Sequence, residues 1–139
     1  MTKVLLVDDN PDLIDGLREG LLNQGFEVVV AVNGVDGLEH CFLDHPDCMV
    51  IDIKMPELDG HQLVRAVRGD PETANIPLLI LTALPQDNQQ LSGFAAGVDM
   101  FLRKPLTAYE LAEHIRAMLL LPSDERNRRF KALAEEEPL

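Results

Sequence analysis

Two cysteines in 139 residues are too few for a disulfide framework, so the fold must be held by burial rather than by covalent staples. No apolar run approaches the ~20 residues that cross a bilayer. The N-terminus passes straight into Lys3-Val4-Leu5-Leu6-Val7 and two acids, which is no secretory signal. Base is scarce as well: 12 Lys and Arg stand against 24 Asp and Glu, a formal net charge of −12. Gripping nucleic acid needs a basic face, so direct nucleic-acid binding is not expected. With neither a spanning run nor a secretory signal, no membrane partner is expected and the expected location is cytoplasmic. There is no internal repeat and no low-complexity stretch.

What is present is ordinary for a globular domain, with 46% hydrophobic and 26% charged residues. A chain of this length buries roughly 70% of the surface its unfolded form exposes. Cys41-x3-His45-x2-Cys48 superficially suggests metal ligation. A tetrahedral zinc site needs a fourth ligand, however, and a helix-loop-strand reading splays these side chains apart. Two reduced cysteines packed as small apolar residues are expected instead.

Strand and helix alternate five times. The expected strands are 3–7, 26–31, 48–52, 78–81 and 100–102, each a short apolar run. Asn10 is an N-cap before Pro11 and Asp12, and Leu13, Ile14, Leu17, Leu21 and Leu22 then keep helical spacing until Gly25. Asn33 caps a second helix that ends before His45-Pro46. A third carries Leu63, Val64 and Val67, a fourth runs over 87–96, and a last one places Leu111, Ile115, Met118 and Leu119 toward the core. Such alternation implies an α/β fold with a parallel sheet covered on both faces. Five units fit the flavodoxin-like order 2-1-3-4-5, with five helices and a C-terminal tail. Composition changes after Pro122, so residues 1–121 are read as one domain and 122–139 as a tail or linker helix.

In an open parallel sheet, ligands bind outside the C-terminal ends of the strands. Asp8 and Asp9 follow the first strand, Asp52 ends the third, Thr82 follows the fourth, and Lys104-Pro105 follows the fifth. Three carboxylates brought together repel one another and call for a cation. Mg²⁺ is suited to a site of few carboxylates with retained waters. Lys104 and Thr82 offer a charge and a hydroxyl to phosphoryl oxygens, and one carboxylate would be the nucleophile.

Val-Asp-Asp-Asn at 7–10, Pro-Asp-Cys-Met-Val-Ile-Asp at 46–52, Met-Pro-Glu-Leu-Asp-Gly at 55–60, Leu-Thr-Ala at 81–83, Ala-Ala-Gly-Val-Asp at 95–99 and Lys-Pro at 104–105 resemble, in order and spacing, a response-regulator receiver domain. The resemblance implies that Asp52 accepts a phosphoryl group from a sensor histidine kinase or histidine phosphotransfer protein. It implies Mg²⁺ on Asp9, Asp52 and the backbone carbonyl of Lys54, with Asp8 acting through water. Thr82 and Lys104 would hold the phosphoryl oxygens, small Ala83 would leave room, and a cis peptide before Pro105 would hold the lysine inward. Thr82 and Phe101 would form the switch that moves the fourth and fifth β-α units and signals to an output partner. Lys54 and Leu84 would set phosphate lifetime. Asp99 survives from the charged ladder through which related receivers dimerise, but Met100, His114 and Leu121 stand where charges are usual. Any homodimer would then rest on the apolar run Met118–Leu121.

Such a protein is a signalling domain that catalyses its own phosphorylation and dephosphorylation, not a metabolic enzyme. An aspartyl-phosphate phosphatase of the haloacid dehalogenase type would carry an acid two residues past the nucleophile, where this chain has Lys54. A flavodoxin-like cofactor protein would need a phosphate-cradling loop after the first strand, where this chain has acids. A receiver-like module that signals without phosphorylation is the remaining alternative, and the full acidic set speaks against it.

Overall fold

The computed structural model describes residues 1–52, 60–82 and 97–121. The elements run β1 (Lys3–Val7), α1 (Pro11–Asn23), β2 (Glu27–Ala31), α2 (Gly34–Asp44), β3 (Cys48–Asp52), α3 (Gly60–Arg68), β4 (Leu78–Thr82), β5 (Met100–Arg103) and α4 (Ala108–Leu119). The helix expected over 87–96 and the tail 122–139 lie outside the described residues. All neighbouring strands are parallel and the order is β2-β1-β3-β4-β5, as the alternation predicts. β4 and β5 each run one residue further than expected, to Thr82 and Arg103.

The strands' two-residue period divides the core between two faces. Leu5, Val7, Met49, Ile51, Leu78 and Ile80 join Cys41, Leu63, Val64 and Val67 of α2 and α3. Val4, Leu6, Cys48, Val50, Leu79 and Leu81 join Leu17, Leu21, Leu111, Ile115 and Met118 of α1 and α4. A side chain of this kind contributes about 1.5–3 kcal/mol when fully buried. β3 is buried along its whole length, whereas β2 and β5, at the edges, are only half-buried. Met118 and Leu119 belong to the second face, and Leu120 is the apolar residue left outside, 84% exposed.

Local chemistry sets the helix ends. The Asn10 side chain accepts from the N–H groups of Asp12 and Leu13 at 3.1 and 3.3 Å, and Asn33 does the same for Asp36 at 2.8 Å. Thr107 and Glu110 form a reciprocal capping box on α4, a Thr-x-x-Glu signal that the reading of the sequence passed over. Gly25, at φ +92°, turns the chain after α1 where a Cβ would be strained. Phe26, expected at the start of β2, precedes it and lies buried beneath the Arg116 guanidinium, 5.2 Å from the ring centre.

Cys41 and Cys48 lie on opposite faces of the sheet, both fully buried, which disposes of the Cys-His-Cys metal motif. Burial pushes the Cys41 thiol up to about 11, offset in part by Arg68, and burial with the neighbouring Asp47 charge pushes Cys48 up to about 12. Both folded values exceed the ordinary 9.0. The stability this represents is therefore complete below pH 9 and lost as pH rises through the folded values. A chromogenic disulfide reagent at pH 8 should find no reactive thiol until the protein unfolds. Denaturant midpoints should fall progressively above pH 9; reactive thiols in the native protein would contradict the assignment.

α1 provides a second test. A Cβ on Gly20 would overlap the Ala108 side chain of α4, so the two helices meet only because this position is bare. Gly16, four residues earlier, is exposed with nothing near its Cβ position. Gly20→Ala should cost about 1–3 kcal/mol by overpacking. Gly16→Ala should instead add about 0.4–1 kcal/mol by restricting the unfolded chain and favouring helix. Paired urea melts would show the opposite signs.

Candidate functional site

The register of the central strands assembles the acids. Val7 of β1 pairs with Ile51 of β3, so Asp8 and Asp52 follow side by side at one sheet edge. The Asp8 N–H continues the ladder to the Ala31 carbonyl at 3.1 Å, and its carboxylate accepts the Asn10 N–H at 3.0 Å. Asp8 and Asp52 are 5% and 8% exposed, while Asp9 opens to solvent. Carboxylate oxygens of the three lie within 4.8 Å of one another.

Lys104 reaches the same point from beyond β5. Its Nζ is 3.4 Å from Asp8 Oδ2 and 3.3 Å from Asp52 Oδ1. The Lys104-Pro105 peptide is cis, as the resemblance implies. Among the described residues, one ammonium stands against three carboxylates and contacts two of them. The donor set is all hard oxygen with one open side, which fits a hard divalent cation that keeps several waters.

Thr82 ends β4 opposite Arg103 of β5, and its side chain is not among the described atoms. Lys54, Ala83 and Leu84 lie outside the described residues. Phe101 is half-buried and rests on the core face formed with α2 and α3. Asp99 is not free for a dimer ladder, because its buried carboxylate meets the Arg68 guanidinium at 3.1 Å. Arg68 itself escaped the reading of the sequence. A base in the last turn of a helix suits the helix dipole, and no local pattern marks it as a bridge to residues 31 positions away.

A family model described as the response regulator receiver domain matches residues 4–116. The DNA-binding dual master transcriptional regulator RpaA of Synechocystis is 35% identical over 119 residues, covering 86% of this chain and 49% of RpaA. Response regulator MprA of Mycobacterium tuberculosis is 37% identical over 117 residues, covering 84% of this chain and 50% of MprA. Among solved structures, the receiver domain of the sensor histidine kinase PA1611 from Pseudomonas aeruginosa, with a magnesium ion coordinated in its active-site cleft, aligns at a TM-score of 0.79. That alignment has 25% identity and covers 86% of this chain and 98% of the other. The chain belongs to the response-regulator receiver family, and it spans about half the length of the curated relatives it matches. Among the described residues no helix is long and apolar enough to cross a membrane.

The clustered carboxylates can be tested without a phosphodonor. Asp9→Asn removes one of three like charges and should raise the thermal midpoint in EDTA. Added Mg²⁺ should stabilise the unaltered protein, by about 2.7 kcal/mol at a hundredfold excess over Kd. Asp9→Asn should gain less at the same concentration. A midpoint indifferent to Mg²⁺ would remove the cation from the site.

Proposed function

We propose that this chain is a phosphorylation switch in which Asp52 is the phospho-acceptor. The observation that carries the reading is the convergence of Asp8, Asp9 and Asp52 on Lys104, whose Nζ lies 3.4 and 3.3 Å from two of them. Asp9 and Asp52, with the backbone carbonyl of Lys54, would hold Mg²⁺, and Asp8 would act through a bound water. The magnesium coordinated in the PA1611 receiver supports this choice of ion. When bound, the ion supplies the charge neutralisation that lets a phosphoryl group approach the acids.

The donor is a phosphohistidine on a sensor kinase or phosphotransfer protein. An Asp52 carboxylate oxygen forms the new O–P bond as the P–N bond breaks, and the electron pair returns to the imidazole nitrogen. Lys104 exchanges its carboxylate partners for a phosphoryl oxygen, the Thr82 hydroxyl donates to another, and Ala83 leaves space. The added charge of about −1.5 to −2 biases a two-state equilibrium. Thr82 shifts toward the phosphoryl group, Phe101 becomes more buried, and the surface made by the helix expected over 87–96, β5 and the last helix, α4, changes for an output partner. The domain, residues 1–121 with 122–139 as tail or linker, catalyses its own phosphorylation and dephosphorylation in the cytoplasm. Self-association through Leu120 is a further outcome of the switched surface. DNA binding, named for RpaA, is not assigned to this stretch, whose net charge is −12 and which matches 49% of that protein.

Incubation with acetyl phosphate and Mg²⁺ should add one phosphoryl group by intact mass. Asp52→Asn keeps the shape but removes the nucleophile and should add none. Phosphorylation of that variant, or a metal-independent reaction, would sink the assignment.

Thr82→Ala should still be phosphorylated yet fail to transmit the event. It loses a hydrogen bond to a charged acceptor worth roughly 1.5–3 kcal/mol, comparable with a coupling free energy of about 1–3 kcal/mol. The reporter is the Phe101 ring resonance. If it shifts on phosphorylation as in the unaltered protein, the Thr82–Phe101 link is wrong.

A further inference from the structure

At the sheet edge away from the acids, the Arg68 guanidinium ties two separate stretches of chain, 74–76 and 97–99, to the end of α3. Its Nε donates to the Gly97 carbonyl at 2.9 Å, and its Nη1 donates to the carbonyls of Ala74 and Ile76 at 2.8 and 2.7 Å. Its Nη2 meets Asp99 Oδ2 at 3.1 Å, and that same oxygen accepts the Leu78 N–H at 2.7 Å. The Asp99 N–H in turn donates to the Leu78 carbonyl at 2.9 Å. The Asp99 side chain is 2% exposed and that of Arg68 21%. One planar cation thus binds the end of α3 to the starts of both β4 and β5. The fork is essential, since a lysine is a compact point charge that cannot present donors to several acceptors in fixed directions.

Topology gives this arrangement a consequence. β4 and β5 are parallel neighbours, so the chain leaves β4 at the acid edge and must return to the opposite edge before β5 begins. The residues just before the two strands, Ile76 and Asp99, are therefore bound to Arg68, Leu78 at the start of β4 is bound to the same Asp99 carboxylate, and the strands' last residues, Thr82 and Arg103, lie at the acid edge. We propose that Arg68 is a positioning residue for the switch. It anchors the starts of β4 and β5, so that a phosphoryl group at the other edge tilts their ends about that anchor instead of displacing the whole unit. The tilt rests on the phosphorylation reading above; the anchor does not.

Amide hydrogen exchange on the full chain, with and without acetyl phosphate and Mg²⁺, separates the two. In the unmodified protein, Arg68→Ala and Arg68→Lys should both speed exchange of the Leu78 and Asp99 amides, roughly ten- to hundredfold. The β1 and β3 amides should keep their rates, which a general loss of stability would not allow. Asp99→Asn retains an acceptor for the Leu78 N–H and should show a smaller acceleration, which keeps the test open if Arg68→Ala does not fold. On phosphorylation of the unaltered protein, rates should change at 80–82 and 101–103 but not at Leu78 and Asp99. In Arg68→Lys the change should spread to those two amides. Leu78 and Asp99 exchanging alike in the unaltered protein and Arg68→Lys would overturn the anchor. So would a phosphorylation response at Leu78 and Asp99 as large as that at 101–103. Absence of a mass gain on the same samples would instead refute the phosphorylation reading, leaving the anchor to stand or fall on the unmodified variants.

Discussion

Lys104 meets Asp8 and Asp52 across a sheet whose strands pair in one register, and the site depends on that register. Val7 opposite Ile51 places the two acids together, and Asp52 opposite Leu81 places them beside the end of β4. A slip by one residue would turn every side chain of a strand to the other face. Because both faces of the central strands are packed with Leu, Ile, Val and Met, such a slip would leave those side chains facing the wrong helices. The core thus forces together carboxylates that would separate if free to do so.

That constraint sets the chemistry. Among the described residues one ammonium faces three acids, and their hard oxygens form a donor set that could hold a hard cation. In the proposed switch, the lysine that contacts these acids turns to a phosphoryl oxygen.

Two cations divide the work at opposite edges of the sheet. Lys104 contacts the acids at one edge, and Arg68 joins the segments that lead into β4 and β5 at the other. Between them run strands of five and four residues, along which the proposed tilt would act. Burial along β3 is complete while β5, at the edge of the sheet, is half-buried.

Much of this is written locally. Apolar runs of strand length, the Asn10-Pro11 and Asn33 caps and the stop at Gly25 act within a few residues, through periodicity and hydrogen bonds to nearby backbone. The alternation then implies a parallel sheet, and the acids at the strand ends imply where a ligand binds. Other features have no local signature. Cys41 and Cys48 look like partners in the sequence and are separated by the sheet, because strand parity and helix placement decide which face each occupies. Asp99 looks like a surface acid and is held by Arg68 from another element. Gly20 looks like a helix defect and is the contact point with Ala108. Lys104 is 96 residues from Asp8, and only the order and register of five strands bring them to 3.4 Å. Residue types and short spacings are set by the chain itself; distances between remote side chains arise only when the whole core is packed.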